Sequence, residues 1–162
     1  MRYITLGGNR YPIHCSVTVD EAVNKRFAAY RKKMVEQAEA DVEARGLQGD
    51  AAEEYKAASL KSATLAYLTD AENDLYQFAL LINAGVRYES IINRHDIADE
   101  VVGYPLDAEK LAMIATVQDL NSPETVGAVA AEFARCRGGD EKNGTAGELT
   151  KTAMTILQTL SK

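Results

Sequence analysis

The sequence predicts a mainly α-helical fold that begins with one β-hairpin. Hydrophobic residues make up 46% and charged residues 26% of the 162 positions, which is typical of a globular chain that forms one domain. There are only three prolines and no tryptophan, and residues that favour helices, such as alanine and leucine, are abundant. Strand signals are confined to the first 17 residues, and helical spacings follow. We therefore expect a hairpin at about residues 2–17 packed on a bundle of six to seven helices.

The hairpin is predicted from two short strand-like runs, residues 2–6 and 10–17, that flank Gly7-Gly8-Asn9. Glycine and asparagine tolerate the positive φ of tight hairpin turns. Alternation in the second run places Tyr11, Ile13, Cys15 and Val17 on one face and Pro12, His14 and Ser16 on the other. A two-stranded sheet is marginal alone, so we expect its apolar face to cover helices.

The first two helices are predicted to form an antiparallel helical hairpin. The capping-box pattern Thr18–Glu21 starts the first helix, which runs to about Arg45, and Gly46 and Gly49 end it. Its apolar stripe comprises Val19, Val23, Phe27, Tyr30, Met34, Ala38 and Val42. A second helix is expected from Asp50 to Leu68, and the short connection implies that the two helices run in opposite directions.

The rest of the chain reads as further helices. A second capping-box pattern at Thr69–Glu72 begins a helix whose apolar residues surround its axis, which indicates a buried helix ending at Gly85. Asp107 is expected to cap the next helix, and Ser122-Pro123 to start another. The residues of the Asp107-capped segment expected to point inward are Leu111, Ile114, Ala115 and Val117. We predict a domain over residues 1–137, a linker over 138–144 and a C-terminal helix over 145–162.

Charge and composition disfavour several classes of partner. The net charge of −6 lacks the cationic excess of a nucleic-acid-binding surface. No apolar run reaches the roughly 18 residues of a membrane span, and the N-terminal residues do not resemble a signal peptide. The two cysteines form no CxxC motif, which favours a reduced, cytoplasmic protein. We therefore expect neither nucleic acid nor membrane as a partner.

No pattern of catalytic or metal-ligating residues stands out. His14 and Cys15 are neighbours in a strand and point to opposite faces, while His95 and Cys136 have no partner at a zinc-site spacing. Cys15 is expected in the core. The tetrapeptide Gly-Gly-Asp-Glu at 138–141 matches the signature of diguanylate cyclases, but helices rather than strands flank it, so we interpret it as part of the linker. We expect no enzyme, no metal and no cofactor.

Three stretches of the sequence resemble, in the same order, parts of one family. They are ITLGGNRYPIHCSVTVDEAV (4–23), FALLINAGVRYES (78–90) and YPLDAEKLAMI (104–114). They are similar to the N-terminal strand–turn–strand–helix signature, the central apolar helix and the acidic-capped helix of tail assembly chaperones from long-tailed phages and prophages of Gram-positive hosts. The resemblance covers about residues 1–120. Residues 28–70 are more extended and more charged than in that family, and residues 137–162 match no part of it.

The resemblance implies a non-catalytic assembly factor in the bacterial host cytoplasm. Such a protein binds the tape measure protein, keeps its long apolar helices soluble and helps to recruit tail tube protein. The candidate partner-binding residues are Val23, Phe27, Tyr30, Met34, Leu149, Ile156, Leu157 and Leu160. The sequence leaves a homo-oligomer open. The alternatives are a virion structural head–tail or tail-completion protein, or another non-enzymatic prophage interaction protein.

Overall fold

The structure, a computed structural model, describes residues 1–93 and 105–138. Within these ranges it contains an antiparallel β-hairpin packed against helices, six of which are described, which confirms the predicted fold class. The elements are β1 (Arg2–Leu6), β2 (Asn9–Ile13), α1 (Val17–Arg45), α2 (Asp50–Leu68), α3 (Ala71–Asn93), α4 (Ala108–Ala112), α5 (Val117–Asn121) and α6 (Pro123–Cys136). His95, the predicted linker beyond Gly138 and the predicted C-terminal helix lie outside the described residues.

The described residues group into two compact units. The first unit comprises residues 1–20 and the described residues from Ala71 onward, and the second comprises Glu21–Asp70. No helix in the described ranges is long and apolar enough to cross a membrane.

The hairpin of the first unit turns at two glycines. Gly7 and Gly8 have φ of 55° and 79°, and Leu6 pairs with Asn9 across this two-residue turn. Strand β2 ends at Ile13, so the predicted strand was too long at its C-terminal end. Val17 instead begins α1 and is 67% exposed, which corrects its predicted place on the apolar face of the hairpin.

Helix α1 begins before the predicted capping box. The hydroxyl of Ser16 accepts a hydrogen bond from the Val19 amide at 3.3 Å, so Ser16 takes the capping role that the sequence pattern assigned to Thr18. The predicted capping box at Thr69 is also wrong. The Thr69 hydroxyl donates to the carbonyl of Leu65 at 2.9 Å and thereby caps the end of α2.

The core of the first unit lies between the hairpin, α3 and the later helices. Its buried apolar side chains include Ile4, Leu6, Ile13, Cys15, Phe78, Leu81, Ile82, Leu111, Leu120, Val129 and Phe133. Strand β2 lies against α3, where the His14 amide donates to the Leu81 carbonyl at 3.0 Å. Gly85 does not end α3 as predicted, because the helix continues to Asn93. A Cβ at Gly85 would overlap the carbonyl of Pro12, so this glycine permits the close approach of β2.

The second unit is the predicted antiparallel helical hairpin. The Tyr30 hydroxyl donates to the Ala63 carbonyl at 3.0 Å, and the Tyr55 hydroxyl donates to Asp41 at 3.4 Å, so early residues of α1 face late residues of α2. Gly46 and Gly49 both have positive φ in the connection, and α2 spans the predicted residues. The side chains of this unit that are buried are Ala38, Ala52 and Tyr67.

Candidate functional site

Helices α4 and α5 meet at a tight corner, the segment Met113–Val117, which we call the α4–α5 corner. The corner is held from α3 by Asn83, whose side-chain amide both donates to the Leu106 carbonyl and accepts from the Leu106 amide, at 2.7 and 2.8 Å. Asp107 then caps α4 as predicted, by accepting a hydrogen bond from the Lys110 amide at 2.8 Å. These bonds fix the start of α4 and therefore the direction from which the chain enters the corner.

A capping box fixes the other side of the corner. The Thr116 hydroxyl accepts from the Asp119 amide at 3.1 Å, and an Asp119 carboxylate oxygen accepts from the Thr116 amide at 2.9 Å. The same oxygen accepts a hydrogen bond from the Gly7 amide at 3.0 Å. A Cβ at Gly7 would overlap the Ile114 carbonyl, so the turn of the hairpin lies directly against the corner. The hydrogen bonds from the backbone of Gly7 and Thr116 lower the pKa of Asp119, which keeps this carboxylate ionised.

The corner presents two apolar side chains to solvent. Met113 is 85% exposed and Val117 is 72% exposed, the highest values among the large apolar residues that the structure describes. Leu111 points inward as predicted and is fully buried, but the predicted inward position of Val117 is wrong. The reason is that α4 is only five residues long, so the helical spacing that predicted Val117 does not continue through the corner.

A second group of polar side chains surrounds a buried carboxylate, Glu132. Its side chain is 3% exposed and accepts hydrogen bonds from both ends of the hairpin region. The Arg2 guanidinium donates to Oε2 at 3.1 Å, and the Cys15 backbone amide donates to Oε1 at 3.0 Å. Arg135, one turn further along α6, donates to Oε1 from Nη2 at 2.6 Å. We call Arg2, His14, Cys15, Glu132 and Arg135 the Glu132 cluster.

The negative charge of Glu132 is compensated by groups of the same chain. Burial alone would raise the pKa of Glu132, but the hydrogen bonds from Arg135 and the Cys15 amide, with the charges around them, outweigh burial and lower it. Burial and the nearby Arg135 charge lower the pKa of His14, although Glu132 opposes this. Neutral His14 therefore accepts at Nδ1 from Arg135 Nη2, 3.2 Å away, and its ring stacks on Tyr88 with centroids 4.0 Å apart. The hydrogen bonds from Arg2 and the Cys15 amide to Glu132 therefore hold the hairpin on α6.

The structure brings the two cysteines together although 121 positions separate them in the sequence. Cys15 is buried as predicted. Burial, followed by a hydrogen bond with the Cys136 thiol, raises the pKa of the Cys15 thiol. Cys15 therefore remains a protonated core side chain. Among the described residues, no three His, Cys, Asp or Glu side chains come together in a way that could hold a metal ion.

The predicted partner-binding residues fall into two groups. Val23, Phe27, Tyr30 and Met34 lie in the second unit and are half-buried. The rings of Phe27 and Tyr30 pack on Tyr67, with centroids 5.1 and 4.8 Å apart, so part of each ring is used within the helical hairpin. The other four, Leu149, Ile156, Leu157 and Leu160, lie outside the described residues.

Sequence reasoning missed Met113 and Glu132. Met113 gave no signal because exposed single apolar residues are common and its exposure depends on where α4 ends. Glu132 did leave a signal, since it stands beside Phe133 on the apolar side of α6 and three residues before an arginine. Comparison with known proteins adds no further information about the site: no protein-family model, no curated protein and no solved structure matches this chain.

Proposed function

We propose that the protein is a tail assembly chaperone of a long-tailed phage or prophage, which binds the tape measure protein and tail tube protein in the host cytoplasm without catalysing a reaction. The observation that supports this proposal is the α4–α5 corner, where Met113 and Val117 are exposed on a segment held by a capping box. A chaperone of apolar helices needs such a surface, because apolar contact drives most protein association.

The chemistry of the corner suits an apolar helical partner. Methionine is flexible and polarisable and adapts to differently shaped apolar surfaces. The hydrogen bonds that the Thr116 and Gly7 amides donate to Asp119 hold the backbone around these two side chains before a partner arrives, so less conformational entropy is lost on binding. The net charge of −6 would keep the protein and its bound partner soluble.

The Glu132 cluster is consistent with a binding role. Hydrogen bonds from Arg2, Arg135 and the Cys15 amide engage both carboxylate oxygens of Glu132. Its lowered pKa makes it a poor proton acceptor at neutral pH. We therefore assign this cluster to holding the fold together and not to chemistry on a substrate.

The proposal is tested by co-expressing the chain with tagged tape measure fragments and with tail tube protein encoded beside it. We expect the wild-type chain to co-purify with the tape measure fragments. The double substitution M113S/V117S should reduce the recovered complex at least tenfold. The matched control is V17S, which changes a side chain of comparable exposure, 67%, at the start of α1 and should bind like wild type.

Two outcomes would count against the proposal. If the wild-type chain binds neither tail protein, the chaperone function is wrong. If M113S/V117S binds as tightly as V17S, the α4–α5 corner is not the contact surface. Recovery of the chain in purified phage particles would favour the alternative, a structural head–tail or tail-completion component.

A further inference from the structure

The second unit carries its charges in two separate blocks. We call residues 21–35 and 57–70 the open end of the helical hairpin, and residues 36–56, which include the connection, its loop end. The open end has six cations and two carboxylates, whereas the loop end has seven carboxylates and two cations. The cations of the open end are Lys25, Arg26, Arg31, Lys32, Lys33 and Lys61. The carboxylates of the loop end are Glu36, Glu39, Asp41, Glu43, Asp50, Glu53 and Glu54.

The residues of each end also lie close together in the structure. Contacts between the two helices join Phe27 and Tyr30 to Tyr67 inside the open end. Inside the loop end, Tyr55 donates to Asp41 at 3.4 Å and lies under the Arg45 guanidinium at 4.8 Å. The helical hairpin therefore has one cationic end, with a formal charge of +4, and one anionic end, with a formal charge of −5.

The second unit also buries few side chains for its length. Of its 50 residues, Ala38, Ala52 and Tyr67 are buried. Two packed helices leave two open faces, so apolar side chains between them stay partly exposed, as at Phe27 and Met34. Eight exposed alanines would let further helices approach closely: Ala28, Ala29, Ala40, Ala44, Ala51, Ala57, Ala58 and Ala66.

We infer that two copies of the chain associate through their second units, packed antiparallel to form a four-helix bundle, with the loop end of each copy over the open end of the other. Charge complementarity identifies the occupant as a second copy. A two-fold axis in this orientation creates two identical contacts between a cationic and an anionic end. The parallel orientation would place like charges together.

The available area suits such an interface. Helix α2 has 19 residues, so each face of the helical hairpin is roughly 28 Å long and two helices, or about 20 Å, wide. Covering one face on each copy removes on the order of 1,100 Å² in total, which is just above the roughly 1,000 Å² that a biological interface needs and fits a weak dimer. The inference is independent of the proposed chaperone function, since it concerns a different unit and a different partner.

The test measures the oligomeric state of the full chain by sedimentation equilibrium and light scattering at low and high salt. We expect a dimer at tens of micromolar in 50 mM salt, and at least tenfold weaker association in 500 mM salt. R31E/K33E reduces the formal charge of the open end from +4 to 0, and E39K/E43K reduces that of the loop end from −5 to −1. Each variant removes the charge complementarity, so each should raise the dimer dissociation constant at least tenfold. Circular dichroism checks that each variant remains helical.

The combined variant R31E/K32E/K33E/E36K/E39K/E43K distinguishes the orientation of the two copies. It gives the open end a formal charge of −2 and the loop end +1, which reverses the charge polarity of the unit but keeps the net charge of −6. It should therefore regain salt-sensitive dimerisation only in the antiparallel arrangement. The control R10E/R87E changes the net charge as much as R31E/K33E, at two exposed residues of the first unit, and should dimerise like wild type.

Three results would overturn the inference. The first is a wild-type chain that stays monomeric at 200 μM in low salt. The second is a dimer that withstands both R31E/K33E and E39K/E43K, because its interface would then lie elsewhere. The third is a folded combined variant that remains monomeric, because charge polarity would then not orient the two copies.

Discussion

Gly85 occupies a position in α3 that has no room for a side chain. A Cβ there would overlap the Pro12 carbonyl and crowd the Ile13 nitrogen, both of which belong to the backbone of β2. Backbone atoms in a paired strand cannot move aside as the end of a flexible side chain can. The close spacing between β2 and α3 therefore depends on the absence of a side chain at Gly85.

We predict that G85A lowers the free energy of unfolding by about 2–4 kcal/mol, because β2 must shift or α3 must bend. Chemical denaturation at pH 7 measures the change. The control is G127A on α6, where a Cβ would meet nothing within 4 Å. G127A should stabilise the protein by about 0.5–1 kcal/mol through helix propensity alone. A G85A variant as stable as G127A would show that the close approach of β2 is absent.

Individual residues also show which structural features the sequence predicts and which it does not. Asp107 and the Ser122-Pro123 pair predicted helix starts correctly, because capping depends on neighbours in the sequence. Gly85 was misassigned as a helix end, because a glycine that ends a helix and one that admits a neighbouring strand look alike in one sequence. The exposure of Met113 could not be predicted, since it follows from tertiary packing of a five-residue helix.

At the scale of elements, competing caps decide where helices begin. Ser16 and Thr18 are both capping residues, and their hydroxyls hydrogen-bond to each other at 2.9 Å. Only Ser16 accepts from the backbone of α1, so the helix starts at Val17. Local patterns predicted the hairpin and five of the six described helices in the right order, but they missed α5. They also left the first turn of α1 undecided between two similar residues.

Tyr67 is the central side chain of the second unit, since its ring is 6% exposed and packs on both Phe27 and Tyr30. We predict that Y67A lowers the stability of residues 21–70 by about 3 kcal/mol through loss of this packing. Amide hydrogen exchange across these residues measures the effect. Y30F, which removes only the hydrogen bond to the Ala63 carbonyl, should cost about 1 kcal/mol. Equal protection in Y67A and wild type would contradict a unit centred on Tyr67.

At the scale of the whole molecule, three groups make stability depend on pH in the acidic range. The pKa values of His14, Asp119 and Glu132 are all lower in the folded chain than their ordinary values of 6.5, 3.8 and 4.5. For each group the unfolded chain binds its proton at a higher pH than the folded chain does. Their contribution to the free energy of unfolding is therefore fully present above the pKa of each group in the unfolded chain. It is lost as pH falls toward the pKa of that group in the folded chain.

We predict that the melting temperature begins to fall below about pH 6.5, from His14, and falls more steeply below about pH 4.5, where the two carboxylates add to it. E132Q should be about 2–4 kcal/mol less stable at pH 7, because it leaves buried donors with a weaker acceptor, and its melting curve should be shallower below pH 4.5. E124Q, an exposed change on the same helix, is the control. Parallel curves for E132Q and wild type would contradict the assigned role of Glu132.

The Glu132 cluster has a consequence for the order in which the chain folds as it is made. Arg2 and the Cys15 amide bind a carboxylate that follows them by 130 and 117 positions. At the usual ~5–20 residues per second, the ribosome needs roughly 6–23 s to add the 117 positions from Cys15 to Glu132. During that interval the hairpin cannot form its hydrogen bonds to Glu132. The contacts of Phe27 and Tyr30 with Tyr67 join residues at most 40 positions apart, so the chain can make them long before Glu132 has been synthesised.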